Sequence, residues 1–233
     1  MYKKKKVLVV IPARSKSTGI KNKNIIKLNG IPLLAHSIKY AKKSKVVDEI
    51  IVSSDSKKYL KIAKNYGAET PFIREKKLSG NLVTDIPVIK DALIRCEKFY
   101  KKKYDYVVLL RPTSPFREKG LIEKSLKLLN KYPKATSVRA VVETTNHPYR
   151  TWVYKKGYIY GFVKNKFEPY NIPRQLLPKV MFQTGDIDVT KRRVIMNNSI
   201  VGNKVVPLFV KKFINDIDSF NDVIEWKKIH KIK

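Results

Sequence analysis

Short continuous apolar runs alternate along most of the chain with stretches whose apolar residues recur every three or four positions. Val7 to Ile11, VLVVI, is a β-branched run closed by Pro12, the pattern of a strand buried on both faces of a parallel sheet. Pro32 to Lys43 carries Leu33, Leu34, Ile38 and Ala41 at helical spacing. Glu49 to Ser54 predicts a second strand, followed by Asp55 and a helix over Lys57 to Tyr66 that Gly67 ends. Thr84 to Tyr100 predicts a helix, Tyr106 to Leu110 a strand and Gly120 to Tyr132 a helix. This alternation implies right-handed βαβ units, a mostly parallel sheet, and a ligand site beyond the carboxyl ends of the strands.

From about Ser137 to Val201 the texture changes to short strand-like runs, SVRAVV, GYIYGFV and DIDVTKRRVI, with Pro and Asn between them. Hairpins fit this region better than another βα repeat. It is expected to form an insertion, about 137–201, that projects from the sheet and offers a dimer contact. Val205 to Val210 then predicts a strand and Ser219 to Ile232 a closing helix. No internal repeat or linker divides the chain, so residues 1–233 are expected to form a single α/β domain.

Composition sharpens this picture in two respects. The single cysteine, Cys96, and three histidines exclude a disulfide framework and a cysteine-rich zinc site. No apolar run approaches the roughly 20 residues of a membrane span, and the start MYKKKKVLVVIPARS does not read as a secretory signal, so a cytoplasmic protein with no membrane partner is expected. The formal net charge of +32 invites a nucleic-acid reading, in which the chain is a non-catalytic binding protein. The excess is spread along the sequence, however, and comes from 41 lysines against ten arginines. It lacks the arginine forks that read bases, and no nucleic-acid partner is expected.

Three segments carry candidate chemistry. Ile11 to Ile25, IPARSKSTGIKNKNI, follows a buried strand and offers Arg14, Ser15, Ser17, Thr18, Lys21, Lys23 and Asn24 around Gly19. Such a loop can wrap a polyphosphate with backbone N–H groups, hydroxyls and cations, although it matches neither GxxxxGK[ST] nor GxGxxG. Arg111 to Arg117, RPTSPFR, places Thr113 and Ser114 at the end of a strand, where a ligand contact and a plain proline turn are both open readings. In FINDIDSFND, Phe213 to Asp222, an extended backbone would project Asp216 and Asp218 from one face and bury Ile217 on the other. That pair suits a hard divalent cation, and equally Asp218 or Ser219 suits a helix cap. A second DID, Asp186 to Asp188, has the same spacing, so spacing alone does not choose between them.

Taken in order, IPARSKSTGIKNKNI, IIVSSD, VVLLRPTSPFR, IPRQLLP and FINDIDSFND resemble the acylneuraminate cytidylyltransferases, a family of the sugar nucleotidyltransferases, from Val7 to about Glu225. The resemblance implies a three-layer α/β/α Rossmann-like fold with a projecting dimerisation element, and hence a homodimer. It implies that CTP lies over the first loop beside a nine-carbon α-keto acid sugar of the sialic, legionaminic or pseudaminic type, whose anomeric hydroxyl attacks the α-phosphorus while pyrophosphate leaves. By the same resemblance Arg14 and Lys23 meet the triphosphate, Ser17 and Asn24 the nucleotide, and Arg74 the cytosine. Asp216 and Asp218 hold Mg2+, and Asp218 orients or deprotonates the attacking hydroxyl. Arg111, Thr113 and Ser114 fall at the sugar site, and Arg174 and Gln175 match a pair that approaches the sugar carboxylate from its own chain or from a dimer partner.

The chain departs from the family pattern at three places. Thr18 stands where many relatives have a lysine, Arg111 where they often have glutamine, and Asp186 and Asp188 within a segment that often reads NGAIY. The two aspartates either shape a pocket for an altered sugar or pair with Arg111, Arg174 or Arg192 across the dimer contact. A ketodeoxyoctonate cytidylyltransferase and an enzyme for another acidic acceptor, such as a phosphonate, are the neighbouring alternatives. His36, His147 and Cys96 are expected to be structural.

Overall fold

The computed structural model describes residues 5–17, 19–144, 146–164, 168–211 and 216–229. Its strands are β1 (Val7–Pro12), β2 (Lys27–Leu28), β3 (Ile31–Pro32), β4 (Glu49–Ser53), β5 (Tyr106–Leu109), β6 (Ser137–Glu143), β7 (Trp152–Lys155), β8 (Tyr158–Gly161), β9 (Met181–Lys191) and β10 (Val205–Phe209). Its α-helices are α1 (Leu33–Lys42), α2 (Lys57–Asn65), α3 (Asp85–Phe99), α4 (Leu121–Lys131), α5 (Arg192–Met196) and α6 (Phe220–Ile229). The predicted elements are all present, with ends displaced by a residue or a few. Thr18 and the Phe213 to Asn215 part of the acidic motif lie outside the described residues.

Six strands form one sheet in the order β10-β6-β9-β5-β1-β4. β1 runs parallel to β4 and β5, and β10 parallel to β6, while β9 enters between β5 and β6 antiparallel to both. The alternation of β1 shows why helices cover both faces. Val7, Val9 and Ile11 pack with α1, α2 and α4 on one side, and Leu8 and Val10 with α3 and α5 on the other. Burying whole apolar runs in this way, at about 25 cal/mol per Å² of apolar surface removed from water, is the main force holding the three layers together. Cys96 and His36 take the structural places expected of them. Cys96 is on the buried face of α3, and the His36 ring lies edge-on to Phe116 with Nε2 3.2 Å from the Leu28 carbonyl oxygen.

The expected insertion is corrected in extent. SVRAVV and the DIDVTK part of DIDVTKRRVI are not hairpin strands of a projecting arm but belong to β6 and β9, central members of the main sheet, and the RRVI that follows opens α5. The signal that misled was the reversal of β9, which breaks the strand-helix alternation. What leaves the sheet is the stretch between Glu143 and Met181, which are themselves paired across the ladder, and it contains the separate hairpin β7–β8. Trp152, Tyr154, Tyr158, Ile159, Tyr160 and Phe162 are exposed there.

Candidate active site

The loop after β1 is held from beneath by its neighbours. Asp55, just past β4, accepts hydrogen bonds from both the backbone N–H and the hydroxyl of Ser15, each at 2.8 Å. The buried Asn24 donates its side-chain amide to the Arg14 carbonyl at 2.9 Å. Two charge-assisted bonds and a buried amide fix the backbone, and the side chains of Arg14, Ser17 and Lys23 line a cavity of about 470 Å³. Arg14 Nη1 reaches the Gly80 carbonyl at 3.0 Å, closing the far wall. Arg74 is only 4% exposed and also lines this cavity, yet among the described residues its Nε and Nη2 have no hydrogen-bond partner. Burial lowers its pKa, with Arg14 adding repulsion, so the protein holds a desolvated cation there at a cost that an anionic or carbonyl ligand would offset.

The acidic segment meets this loop from the other side. Ile217 is 2% exposed and packs with Ile20, Leu28, Leu33 and Val223, while its N–H donates to the Thr113 carbonyl at 2.9 Å. With Ile217 anchored inward, Asp218 lines this cavity, and Asp216 lines an adjoining one together with Asp218. Ser114 donates its hydroxyl to Asp216 Oδ1, and Lys23 Nζ lies 2.7 Å from Asp218 Oδ1. Burial raises the Asp216 pKa, with Ser114 opposing and Asp218 adding to the rise. The two readings of this motif separate onto different residues. Ser219 caps α6, since its hydroxyl accepts from Asp222 N–H at 3.3 Å and Asp222 Oδ2 accepts from Ser219 N–H at 2.6 Å. Asp218 is thereby left to face the cavity. Two glycines permit the close approach: a Cβ at Gly19 would sit 2.7 Å from the Asp218 carbonyl oxygen, and one at Gly185, where φ is +73°, 2.8 Å from Asp216 Oδ2.

A second cavity of about 630 Å³ adjoins the first, and Asp85, Arg111 and Asp218 line both. Arg111 spans their junction, with Nη2 2.7 Å from Asp85 and Nη1 3.0 Å from Asp188. Burial alone would depress its pKa, but the two carboxylates outweigh that and raise it. The two DID segments have different surroundings. Asp188 is committed to Arg111 and, at 2.6 Å, to Arg139, whereas Asp218 pairs with Lys23 of the loop and Asp216 with the Ser114 hydroxyl. The anticipated partnership of Asp188 with Arg111 is present, but inside one chain. Arg192 pairs with Glu97 instead, at 2.7 Å. Asp186 accepts a 2.6 Å bond from the Thr184 hydroxyl, and burial raises its pKa.

Arg14, Ser17, Lys23, Asn24, Arg74, Arg111, Thr113, Ser114, Asp216 and Asp218 therefore converge on one region. Arg174 and Gln175 do not. They occupy an exposed turn, Arg174–Leu176, and line neither cavity. Four neighbours escaped the sequence reading. Asp55 was visible as the last residue of IIVSSD. Asp85 opens α3, Arg139 sits inside a strand-like run, and Arg117 ties the Arg111 and Asp186 carbonyls together; nothing in their spacing marks them.

A sequence profile of the family described as cytidylyltransferase matches residues 8–156. The post-translational flagellin modification protein B of Campylobacter coli is 33% identical over 91% of this chain and 90% of its own length. The CMP-N,N'-diacetyllegionaminic acid synthase of Campylobacter jejuni is 32% identical over the same shares, 91% and 90%. In fold, the chain is similar to a CMP:2-keto-3-deoxy-manno-octonic acid synthetase solved with CTP, with a TM-score of 0.72, 15% identity, and coverage of 97% of this chain and 98% of that one. A cation-lined cavity with Asp218 at its edge, the family profile and this extent of sequence identity lead to one conclusion: the chain is a nucleotidyltransferase and belongs to the cytidylyltransferase family.

Proposed function

We propose that this enzyme transfers CMP from CTP to the anomeric hydroxyl of a nine-carbon α-keto acid sugar of the legionaminic, pseudaminic or sialic type. The observation that carries the reading is the single cavity shared by Arg14, Lys23 and Asp218, opening beside Arg111 into a second one. CTP fits the first, with its triphosphate along Arg14, Ser17 and Lys23 and its base toward Arg74, whose unpartnered donors suit a carbonyl oxygen. The acceptor fits the second. Its hydroxyl oxygen bonds to the α-phosphorus as the bond to the β-phosphate oxygen breaks, and pyrophosphate departs. Such a transfer asks for alignment and charge neutralisation, which fixed cations supply without reorganising.

Asp218 is the group placed to orient the hydroxyl and take its proton. Asp216 and Asp218 fit Mg2+, which takes few protein carboxylates and completes its shell with phosphate oxygens and water. Among the described residues no cluster of three or more His, Cys, Asp or Glu offers a fuller cage. Bound there, Mg2+ would lower the pKa of the hydroxyl and share the developing charge. Lys23, paired with Asp218 at 2.7 Å, is the cation that would neutralise the triphosphate beside this pair.

A homodimer completes the enzyme in this reading. The exposed aromatic residues of the hairpin β7–β8 form its contact, and Arg174 and Gln175 reach the acceptor from the partner copy. No helix of the described residues is long and apolar enough to cross a membrane; the need for CTP places the reaction in the cytoplasm. The test is an acceptor panel with CTP and Mg2+, scored by pyrophosphate release. Turnover of a nonulosonic acid is expected, whereas exclusive use of ketodeoxyoctonate or a phosphonate would replace this reading.

A further inference from the structure

Arg139 on β6 stands directly across the ladder from Asp188 on β9. The register then slips, so that Val141 faces Gln183, and the intervening residues of β9 bulge around Gly185. This local break brings Arg139, Gln183 and Asp188 to the wall of the second cavity. Arg139 Nε donates to Asp188 Oδ1 at 2.6 Å and Nη2 to Oδ2 at 3.2 Å, a side-on bidentate pair. A guanidinium also has an end-on fork, made by Nη1 and Nη2. Among the described residues the contact recorded there is the amide oxygen of Gln183, 2.6 Å from Nη1.

The other arginine on this wall is spoken for. Arg111 gives Nη1 to Asp188 and Nη2 to Asp85, so both of its terminal nitrogens already meet carboxylates. An acid entering this cavity meets Asp216 and Asp218 on one side and needs a cation set apart from them. Of that fork, Nη2 gives one of its two hydrogens to Asp188 and keeps the other, while among the described residues Nη1 meets a neutral oxygen, which an ionised carboxylate displaces, because charge-assisted hydrogen bonds are roughly twice as strong as neutral ones. Asp188, 3% exposed and held by both arginines, keeps the Arg139 plane from turning away.

Building on the functional reading above, we propose that the end fork of Arg139 receives the carboxylate of the acid acceptor, displacing the Gln183 amide oxygen, and so selects acidic acceptors. Arg139 is then a substrate-binding residue and Asp188 the residue that positions it.

The experiment uses the full chain with CTP, Mg2+ and N,N'-diacetyllegionaminic, pseudaminic or N-acetylneuraminic acid, whichever wild type turns over fastest. KM is measured for acid and for CTP, and binding of the acid and of its methyl ester by calorimetry. For Arg139→Gln the acid KM should rise about tenfold or more, as expected for losing a hydrogen bond to a charged group, with the KM for CTP within about twofold. Gln183→Glu keeps Arg139 and its ion pairs but seats a built-in carboxylate on the fork; it should weaken the acid similarly, and it serves if Arg139→Gln folds poorly. The methyl ester should bind wild type and both variants equally weakly. An unchanged acid KM in Gln183→Glu, equal losses for acid and ester, or a carboxylate-specific loss confined to Arg174→Gln would each overturn the assignment. Failure of wild type to transfer CMP to any of the three acids would instead overturn the functional reading and this inference with it.

Discussion

Gly19→Ala offers a stringent test of the contact between the phosphate loop and the acidic segment. The new Cβ would lie 2.7 Å from the carbonyl oxygen of Asp218, where ordinary contact begins near 3.4 Å, so the two segments must separate by about 0.7 Å. The obstacle is backbone, so no side-chain rotation relieves it. The Lys23 and Asp218 pair, now at 2.7 Å, straddles this contact and would stretch beyond hydrogen-bond length. Displacements of about 1 Å in a catalytic constellation cost on the order of a hundredfold, so kcat/KM for pyrophosphate release should fall by roughly ten- to a hundredfold. Overpacking should cost about 1–3 kcal/mol, visible as a drop in Tm of several degrees with the fold retained. Gly80→Ala is the matched control on the opposite wall, because its Cβ would meet only Val83 Cγ2 at 3.5 Å; it should retain near-wild-type activity. Wild-type kcat/KM in Gly19→Ala would refute the idea that these two segments work in contact.

Asp218→Asn should lower turnover by orders of magnitude while Tm shifts little, since the Lys23 pair is 70% exposed on the acid side and such pairs contribute less than about 1 kcal/mol; near-normal CMP transfer would remove Asp218 from the chemistry. Asp55→Asn weakens both bonds that hold Ser15, so the KM for CTP should rise about tenfold, with the acid KM much less affected. Burial pushes Cys96 and Tyr40 up to about 12, so the folded state keeps their protons after the unfolded chain, with ordinary pKa values near 9 and 10, has begun to lose them. Their stabilising contribution is therefore full below pH 9 and declines between pH 9 and 12 by up to about 1.4 kcal/mol per unit for each group. Urea melts across that range should show the decline, and Cys96→Ala should flatten its lower part; a thiol reagent should react with native Cys96 only as fast as the protein opens.

Much of this site was legible because it depends on period and position. The two-residue period of Asp216, Ile217 and Asp218 fixed which side chain goes to the core, and the apolar run before Arg14 fixed where its loop emerges. What was not legible depends on long-range pairing. Nothing local indicates that Met181 to Lys191 turns back between β5 and β6, because an antiparallel strand buried on both faces has the same apolar texture as an excursion with hairpins. That reversal brings Arg139 to Asp188 from 49 positions away, and no spacing rule reaches so far. Arg174 and Gln175 are the converse case: a sequence motif names them, and the single protomer leaves them on an exposed turn away from both cavities.

Because Glu143 and Met181 are ladder partners, the excursion between them begins and ends at nearly the same point in space. Its length and contents can change without disturbing the core, much as a tool is exchanged on a fixed handle. Yet its last residues run straight into Phe182 and Gln183 on the cavity wall. A graft from a relative would therefore exchange the exposed aromatic hairpin and the approach to the second cavity in one step, leaving the loop after β1 untouched.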